Sequence, residues 1–174
     1  GLRRVLPRVP EAILSDRAGL ELVSRGDPVP DAVILGDLGE EWSFARLQRA
    51  FEAVMAGGEL IALSKDRYFQ RAGQLTLDAG PFVAGLEYAT GTTAMVVGKP
   101  SAAFYRSALE GLGVHPGSVV MVGDDLWSDI EGAQRAGMAA WLVRTGKFRE
   151  DKLRESRIVP ERVIESVAEI LTGG

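Results

Sequence analysis

Val119-Val120-Met121-Val122-Gly123-Asp124-Asp125-Leu126-Trp127-Ser128-Asp129 is the stretch from which the rest of the chain is most easily read. Four apolar residues in succession, without polar alternation, predict a strand buried on both faces, as in a parallel sheet. A glycine and two aspartates follow at once. Leu126 to Ala136 then reads as a helix, with Gly137 placed to end it. Ala139 to Val143 is a further apolar strand. Moving towards the N-terminus, Ala94-Met95-Val96-Val97 is a strand. Pro100 to Leu112 follows as a helix with Phe104, Ala108 and Leu112 on one side. Further back, Ala32-Val33-Ile34-Leu35 and Leu60-Ile61-Ala62-Leu63 are strands flanking a helix. Ser43 caps that helix, Phe44, Leu47, Phe51, Val54 and Met55 give it an apolar face, and Gly57-Gly58 stops it. Pro81 opens a helix to about Thr90, and Val163 to Leu171 closes the chain as another. Strand–helix alternation of this kind means an α/β fold. Residues 64–80, polar and turn-rich, divide two α/β units, and residues 147–162 read as a solvated connection.

The composition narrows the chemistry. The 174 residues carry 20 Lys and Arg against 24 Asp and Glu, a formal net charge of −4. That mild acidity argues against a partner such as a nucleic acid polymer or an anionic membrane surface, which calls for a basic face. No apolar run approaches the ~20 residues of a membrane span. There is no Cys and a single His, His115. Disulfides, thiol nucleophiles and Cys-ligated zinc are excluded, and a His-based triad or metal cluster is disfavoured. Carboxylates, Lys, Arg and backbone amides are left to do any chemistry.

Those groups follow three of the strands directly: Gly98-Lys99-Pro100, then Gly123-Asp124-Asp125 with Asp129, then Arg144-Thr145-Gly146. Ligands of parallel α/β sheets bind at the carboxyl ends of the strands, so the three sets should meet at one edge. A Lys, three Asp and a glycine-bearing turn suit a hard divalent cation beside a phosphate. Each residue also has a plainer explanation. Asp124 or Asp125 can cap the helix that begins near 126, Asp129 can be a favourable charge in its first turn, and Lys99 and Arg144 can be solvated.

Val97-Gly98-Lys99-Pro100, followed by Gly123-Asp124-Asp125-Leu126-Trp127-Ser128-Asp129, resembles the third and fourth motifs of the haloacid dehalogenase superfamily. The run from Asp129 through Gly132-Ala133-Gln134-Arg135-Ala136-Gly137-Met138 to Val143-Arg144-Thr145-Gly146-Lys147 is similar to the subfamily IIA phosphatases. So are Leu63 to Phe69 and Gly80 to Ala89. The resemblance is strong over about 57–149 and weaker before that. It implies a Rossmann-like parallel-sheet hydrolase core, present in part as residues 81–174, and an α/β cap domain over residues 1–80. It implies that Lys99 steadies a nucleophilic carboxylate and the phosphoryl oxygens, and that Asp124 is the principal Mg2+ ligand. Asp129 is the second acid of that motif and Asp125 the less certain ligand. Lys65, Arg67 and Tyr68 would face the substrate from the cap.

One departure bears on activity. The family's nucleophile and general acid are paired Asp residues after a strand. The nearest sequences here, Leu14-Ser15-Asp16 and Leu35-Gly36-Asp37-Leu38-Gly39, lack that pairing. The nucleophile is therefore expected upstream of Gly1, and the chain by itself is expected to be inactive. The expectation is the C-terminal part of a Mg2+-dependent, cytoplasmic phosphatase. It would act on a small phosphorylated substrate through an aspartyl-phosphate, with a homodimer compatible with the resemblance. The alternatives are a non-catalytic Mg2+- or phospho-ligand-binding module and, more distantly, a phospho-accepting receiver domain.

Overall fold

The computed structural model describes residues 2–16, 19–24 and 27–171. It divides into two compact units. The first comprises Gly1–Tyr68 and Thr76–Gly98, the second Phe69–Leu75 and Lys99–Gly174.

The first unit contains strands β1 (Arg4–Arg8), β2 (Glu21–Leu22) and β3 (Ala32–Leu35), helix α1 (Phe44–Met55), β4 (Glu59–Ala62), α2 (Gly80–Thr90) and β7 (Met95–Val96). A hairpin of β5 (Tyr68–Arg71) and β6 (Gln74–Leu77) interrupts it. The five strands pair in the order β2-β1-β3-β4-β7, all parallel. Ala32, Val33 and Leu35 are buried in this sheet as the apolar run predicts. Asp31 fixes the start of the β1–β3 ladder, accepting hydrogen bonds from the backbone N–H groups of Arg3 (2.9 Å) and Arg4 (2.8 Å). Helix α1 is capped by Ser43, whose hydroxyl accepts from Arg46 N at 3.3 Å. Its Ala50, Ala53 and Val54 bury against the sheet, with Leu47 and Phe51 packed beside them. Two residues of the expected apolar face do not join this core, since Phe44 is 81% exposed and Met55 is also in solvent. They are the first and last residues of the helix, beyond the stretch that lies on the sheet. Trp42 stacks on Phe82, with ring centroids 4.3 Å apart.

The second unit contains α3 (Ala102–Leu112), β8 (Val120–Gly123), a wide turn over Leu126–Glu131 running into α4 (Gly132–Arg135), β9 (Ala139–Val143), α5 (Glu150–Glu155) and β10 (Arg162–Ile164). Its three strands are parallel in the order β10-β9-β8. The core is Tyr105, Leu126, Ile130, Ala133, Met138, Ala140 and Leu142.

The structure corrects several expectations. The buried face of α3 is set by Tyr105 and Leu109, not by Phe104, Ala108 and Leu112. Tyr105 is 1% exposed and its hydroxyl donates to Ser128 O, which rotates the helix by one residue. Val120 is exposed because β8 is an edge strand rather than one enclosed by neighbours. Residues 64–80 are not merely a turn-rich break. They hold the β5–β6 hairpin, whose two-residue link, Ala72-Gly73, has both φ angles positive (48° and 81°), as a tight hairpin turn requires. The expected closing helix is partly a strand: Val163 pairs with Leu142 and Ile164 with Val143. β-Branched residues favour that extended edge. Residues 147–162 include the short helix α5. The compact units divide at Gly98: β7 pairs with β4 in the first sheet, and α2 buries Val83 and Leu86 in the first core.

Candidate active site at the carboxyl end of β8

Strand β8 ends at Gly123, and the chain then turns so tightly that three aspartates within six residues acquire different tasks. Asp125 holds the turn. Its Oδ1 accepts from the N–H groups of Trp127 and Ser128, both at 2.9 Å, the capping role that its sequence position alone allowed. Its carbonyl accepts from Asp129 N at 2.9 Å and also from Ile130 N at 3.1 Å, so the first turn is wider than an α-helix. This widening accompanies the inward placement of Asp129, which is only 3% exposed. A Cβ on residue 123 would overlap the Asp129 carboxylate, so glycine is what lets the two approach.

A buried carboxylate needs partners, and Asp129 has three. Lys99 donates from Nζ to Oδ1 at 2.7 Å, and the backbone N–H groups of Asp124 and Asp125 donate to Oδ2 at 3.1 Å each. The ion pair joins the start of the second unit to the end of β8, across thirty residues of sequence. Asp129 thus orients both the lysine and the backbone that carries Asp124.

Asp124 itself is half-buried. Its Oδ2 accepts from Lys147 N at 2.6 Å, in the loop after β9. That loop turns at Gly146, with φ of +60°, and a Cβ there would overlap Asp124 Oδ2. Lys147 Nζ reaches Asp125 Oδ2 at 3.2 Å, with both side chains largely buried. The residues after β8 and β9 therefore meet, as the strand-end argument expected, whereas the strand before Lys99, β7, pairs in the first sheet, and Lys99 joins the cluster through its ion pair with Asp129. Gly146 is in the cluster as expected of the third strand end, and Lys147 belongs to it although the sequence reading gives residues 147–162 no role. Its position directly after the third polar strand end was the available signal. Arg144 turns elsewhere, pairing with Glu150 (2.6 Å) and Glu165 (3.2 Å) and lying over Phe148.

The donor set is carboxylate oxygen, the chemistry a hard divalent cation takes. Among the described residues, however, no three acidic or His side chains converge as a metal cage. Asp129 is committed to Lys99 and two amides, and Asp125 to the turn and Lys147. Asp124 is the carboxylate best placed to hold a cation, with Asp129 acting behind it.

In the first unit, Lys65 follows β4 and donates from Nζ to both oxygens of Glu87, at 2.8 and 2.6 Å. Glu87 also accepts from Ala94 N at 3.0 Å. Its carboxyl is lowered below the ordinary range: burial opposes the shift, and the Lys65 and Ala94 hydrogen bonds outweigh it. Lys65 is thus engaged with a helix carboxylate. Arg67 is exposed and Tyr68 half-buried where β5 begins.

Residues 96–170 match the HAD-hydrolase-like family model. Among curated proteins the chain is 42% identical over 142 residues to the human phospholysine phosphohistidine inorganic pyrophosphate phosphatase, covering 80% of this chain and 53% of that protein. It is 44% identical over 147 residues to bovine haloacid dehalogenase-like hydrolase domain-containing protein 2, covering 83% and 57%. The chain therefore spans little more than half the length of these relatives. Among solved structures, p-nitrophenyl phosphatase from Archaeoglobus fulgidus aligns with a TM-score of 0.85 at 26% identity, over 99% of this chain and 67% of that one. The glycerol phosphate phosphatase of Mycobacterium tuberculosis, solved in complex with magnesium, aligns with a TM-score of 0.71 at 35% identity, over 83% and 44%. These likenesses agree with the α/β reading of the fold.

Proposed function

We propose, from the match of residues 96–170 to the HAD-hydrolase-like family model, that the chain forms part of a phosphoric monoester hydrolase acting on small phosphorylated metabolites. The observation that carries this reading is the buried Asp129, which holds the Lys99 ammonium and the Asp124 backbone side by side at the end of β8. Lys99 is the catalytic cation, its charge placed to stabilise phosphoryl oxygens as negative charge moves onto them. Asp124 would hold Mg2+, with Asp129 and Asp125 as positioning carboxylates; when bound, the ion neutralises phosphoryl charge and orients the transferring group. The carboxylate that attacks phosphorus is supplied from outside these 174 residues. It would form an aspartyl-phosphate that water then cleaves. Residues 1–80 are read as cap, with Lys65, Arg67 and Tyr68 on its substrate-facing loop. Lys65 would exchange Glu87 for a substrate anion only at the cost of that ion pair. A cytoplasmic homodimer fits the same reading. Among the described residues no helix is long and apolar enough to cross a membrane.

A second reading, a non-catalytic module binding Mg2+ or a phospho-ligand, is favoured by Asp16 and Asp37, each of which stands without the paired Asp of the family's nucleophile motif. The two are separated by phosphatase assay on the protein as its source cell makes it, with p-nitrophenyl phosphate and added Mg2+. Asp124→Asn and Lys99→Ala are each expected to lower kcat by about 100-fold or more. Turnover that survives both substitutions, or none in the unsubstituted protein, overturns the phosphatase proposal.

A further inference from the structure

A groove of about 880 Å3 opens in the first unit between α1 and the residues Val23 and Asp27 to Pro30, with Leu6, Val23 and Ala53 on its apolar surface and Phe44 at its rim. It shares no residue with the Lys99, Asp124 and Asp129 cluster. Three guanidinium groups line it, those of Arg8, Arg46 and Arg49. Such a concentration of like charge is unfavourable unless something answers it. Arg46 is answered by Glu41 at 3.0 Å. Among the described residues neither Arg8 nor Arg49 pairs with a carboxylate. The two acids in the groove are turned to local partners: Glu52 accepts from Gln48 Nε2 at 2.9 Å, and Asp27 accepts from Ser24 N. Arg49 donates to Ser24 O. Arg8 spends Nε on Arg46 O at 3.1 Å and Nη1 on Pro7 O at 2.7 Å, which fixes its plane. Its Nη2 makes no hydrogen bond among the described residues. Burial, and then the charges of Arg49 and Arg46, lower the Arg8 pKa from its ordinary value to about 10, the expected response of a cation held among cations.

We propose that this groove binds a small organic phosphate, its oxyanion on Arg8 and Arg49 and its apolar part against Phe44, Leu6 and Ala53. Two guanidinium forks match the geometry of a phosphoryl group better than two lysines would. The volume lies in the range of small-molecule sites, and an exposed aromatic ring beside the cations supplies a platform for the rest of the ligand.

The test is titration of the 15N-labelled 174-residue chain with phenylphosphonate, which no phosphatase can hydrolyse, and in parallel with inorganic phosphate. Saturable amide shifts in Phe44–Arg49 are expected, with tighter binding of phenylphosphonate. Arg49→Gln should weaken that binding by about tenfold or more, as loss of a charge-assisted pair does. Phe44→Ala should remove the preference for the ring. Lys99→Ala should leave the affinity unchanged, which separates this groove from the cluster at the end of β8. Arg8→Gln should act as Arg49→Gln does; if it fails to fold, the Arg49 variant decides. The proposal is overturned if no saturable shift occurs at millimolar ligand, or if the shifts respond to Lys99→Ala and not to Arg49→Gln. Equal affinity for inorganic phosphate and phenylphosphonate overturns the organic ligand and leaves a site for free phosphate.

Discussion

Asp129 is the residue whose removal says most about the second unit. It is 3% exposed and accepts one charged and two neutral hydrogen bonds. Alanine removes all three at once. A hydrogen bond to a charged group contributes ~1.5–3 kcal/mol, and a buried donor left unmade costs ~1–3 kcal/mol. Lys99 is 36% exposed and the amides of Asp124 and Asp125 are half-buried, so water recovers part of this. A net cost of about 3 kcal/mol for Asp129→Ala follows. Asparagine of the same shape keeps an oxygen for the two amides but loses the ion pair, and its cost should be about 1–2 kcal/mol. In a chain of this length each kcal/mol moves Tm by ~2–4 °C. Thermal and urea unfolding of the two variants should therefore rank alanine well below asparagine. A double-mutant cycle with Lys99→Ala should return a coupling of about 1 kcal/mol or more. The reasoning fails if asparagine is as destabilising as alanine, or if the cycle shows no coupling.

Gly146→Ala puts a Cβ onto Asp124 Oδ2 at a residue with φ of +60°. A shift of the carboxylate by an ångström is expected to cost about 100-fold in kcat in the proposed phosphatase, read by phosphatase assay, with a backbone penalty of ~1–2 kcal/mol seen in unfolding. Gly132→Ala brings a Cβ to 2.6 Å from the Tyr105 hydroxyl in a closed core, and should destabilise by ~1–3 kcal/mol despite alanine's better helix propensity. Substituting Tyr105→Leu in that background should recover part of the loss in the same urea titration. The backbone N–H groups of Arg4 and then Arg3 lower the Asp31 pKa from 3.8 to about 2. Since the folded value is the lower one, Asp31 contributes stability that is present above about pH 4 and lost as pH falls towards 2. Asp31→Asn should flatten the stability profile across that window, measured by urea unfolding at stepped pH, with little change in slope elsewhere.

The elements legible in the sequence were those whose signals are local. Ser43, the helical spacing behind it and the apolar runs at 32–35 and 60–63 carry their own instructions, and the structure follows them. The same holds for Asp124 and Gly146, because the parallel neighbours β8 and β9 deliver their carboxyl ends to one edge; Lys99 follows a strand of the other sheet and is held by its ion pair with Asp129. What escaped depends on partners distant in sequence. β1, with Pro7 and arginines at both ends, becomes a strand only because β2 and β3 flank it. Val163 and Ile164 have a helical pattern around them, yet pair with β9 because its edge is open to them. The one-residue rotation of α3 follows from where the Tyr105 hydroxyl finds a carbonyl. The pairing of Lys65 with Glu87 spans 22 residues and two elements, beyond any window of local periodicity. Asp125 and Asp129 are both acidic residues beside a helix start, and only the wide turn between them separates the cap from the buried anchor.

Strand β8 pairs with β9 on one side and stands at the rim of its sheet on the other. Its second flank offers backbone donors and acceptors to any polypeptide able to lie alongside in parallel. Direction then decides what such a visitor delivers: a strand running with β8 finishes where β8 finishes, so its terminal residues arrive next to Gly123 and Asp124. A separately produced peptide with four or so β-branched residues and a reactive group just past them could be complemented onto β8, and the ladder itself would set the register of the joined pair.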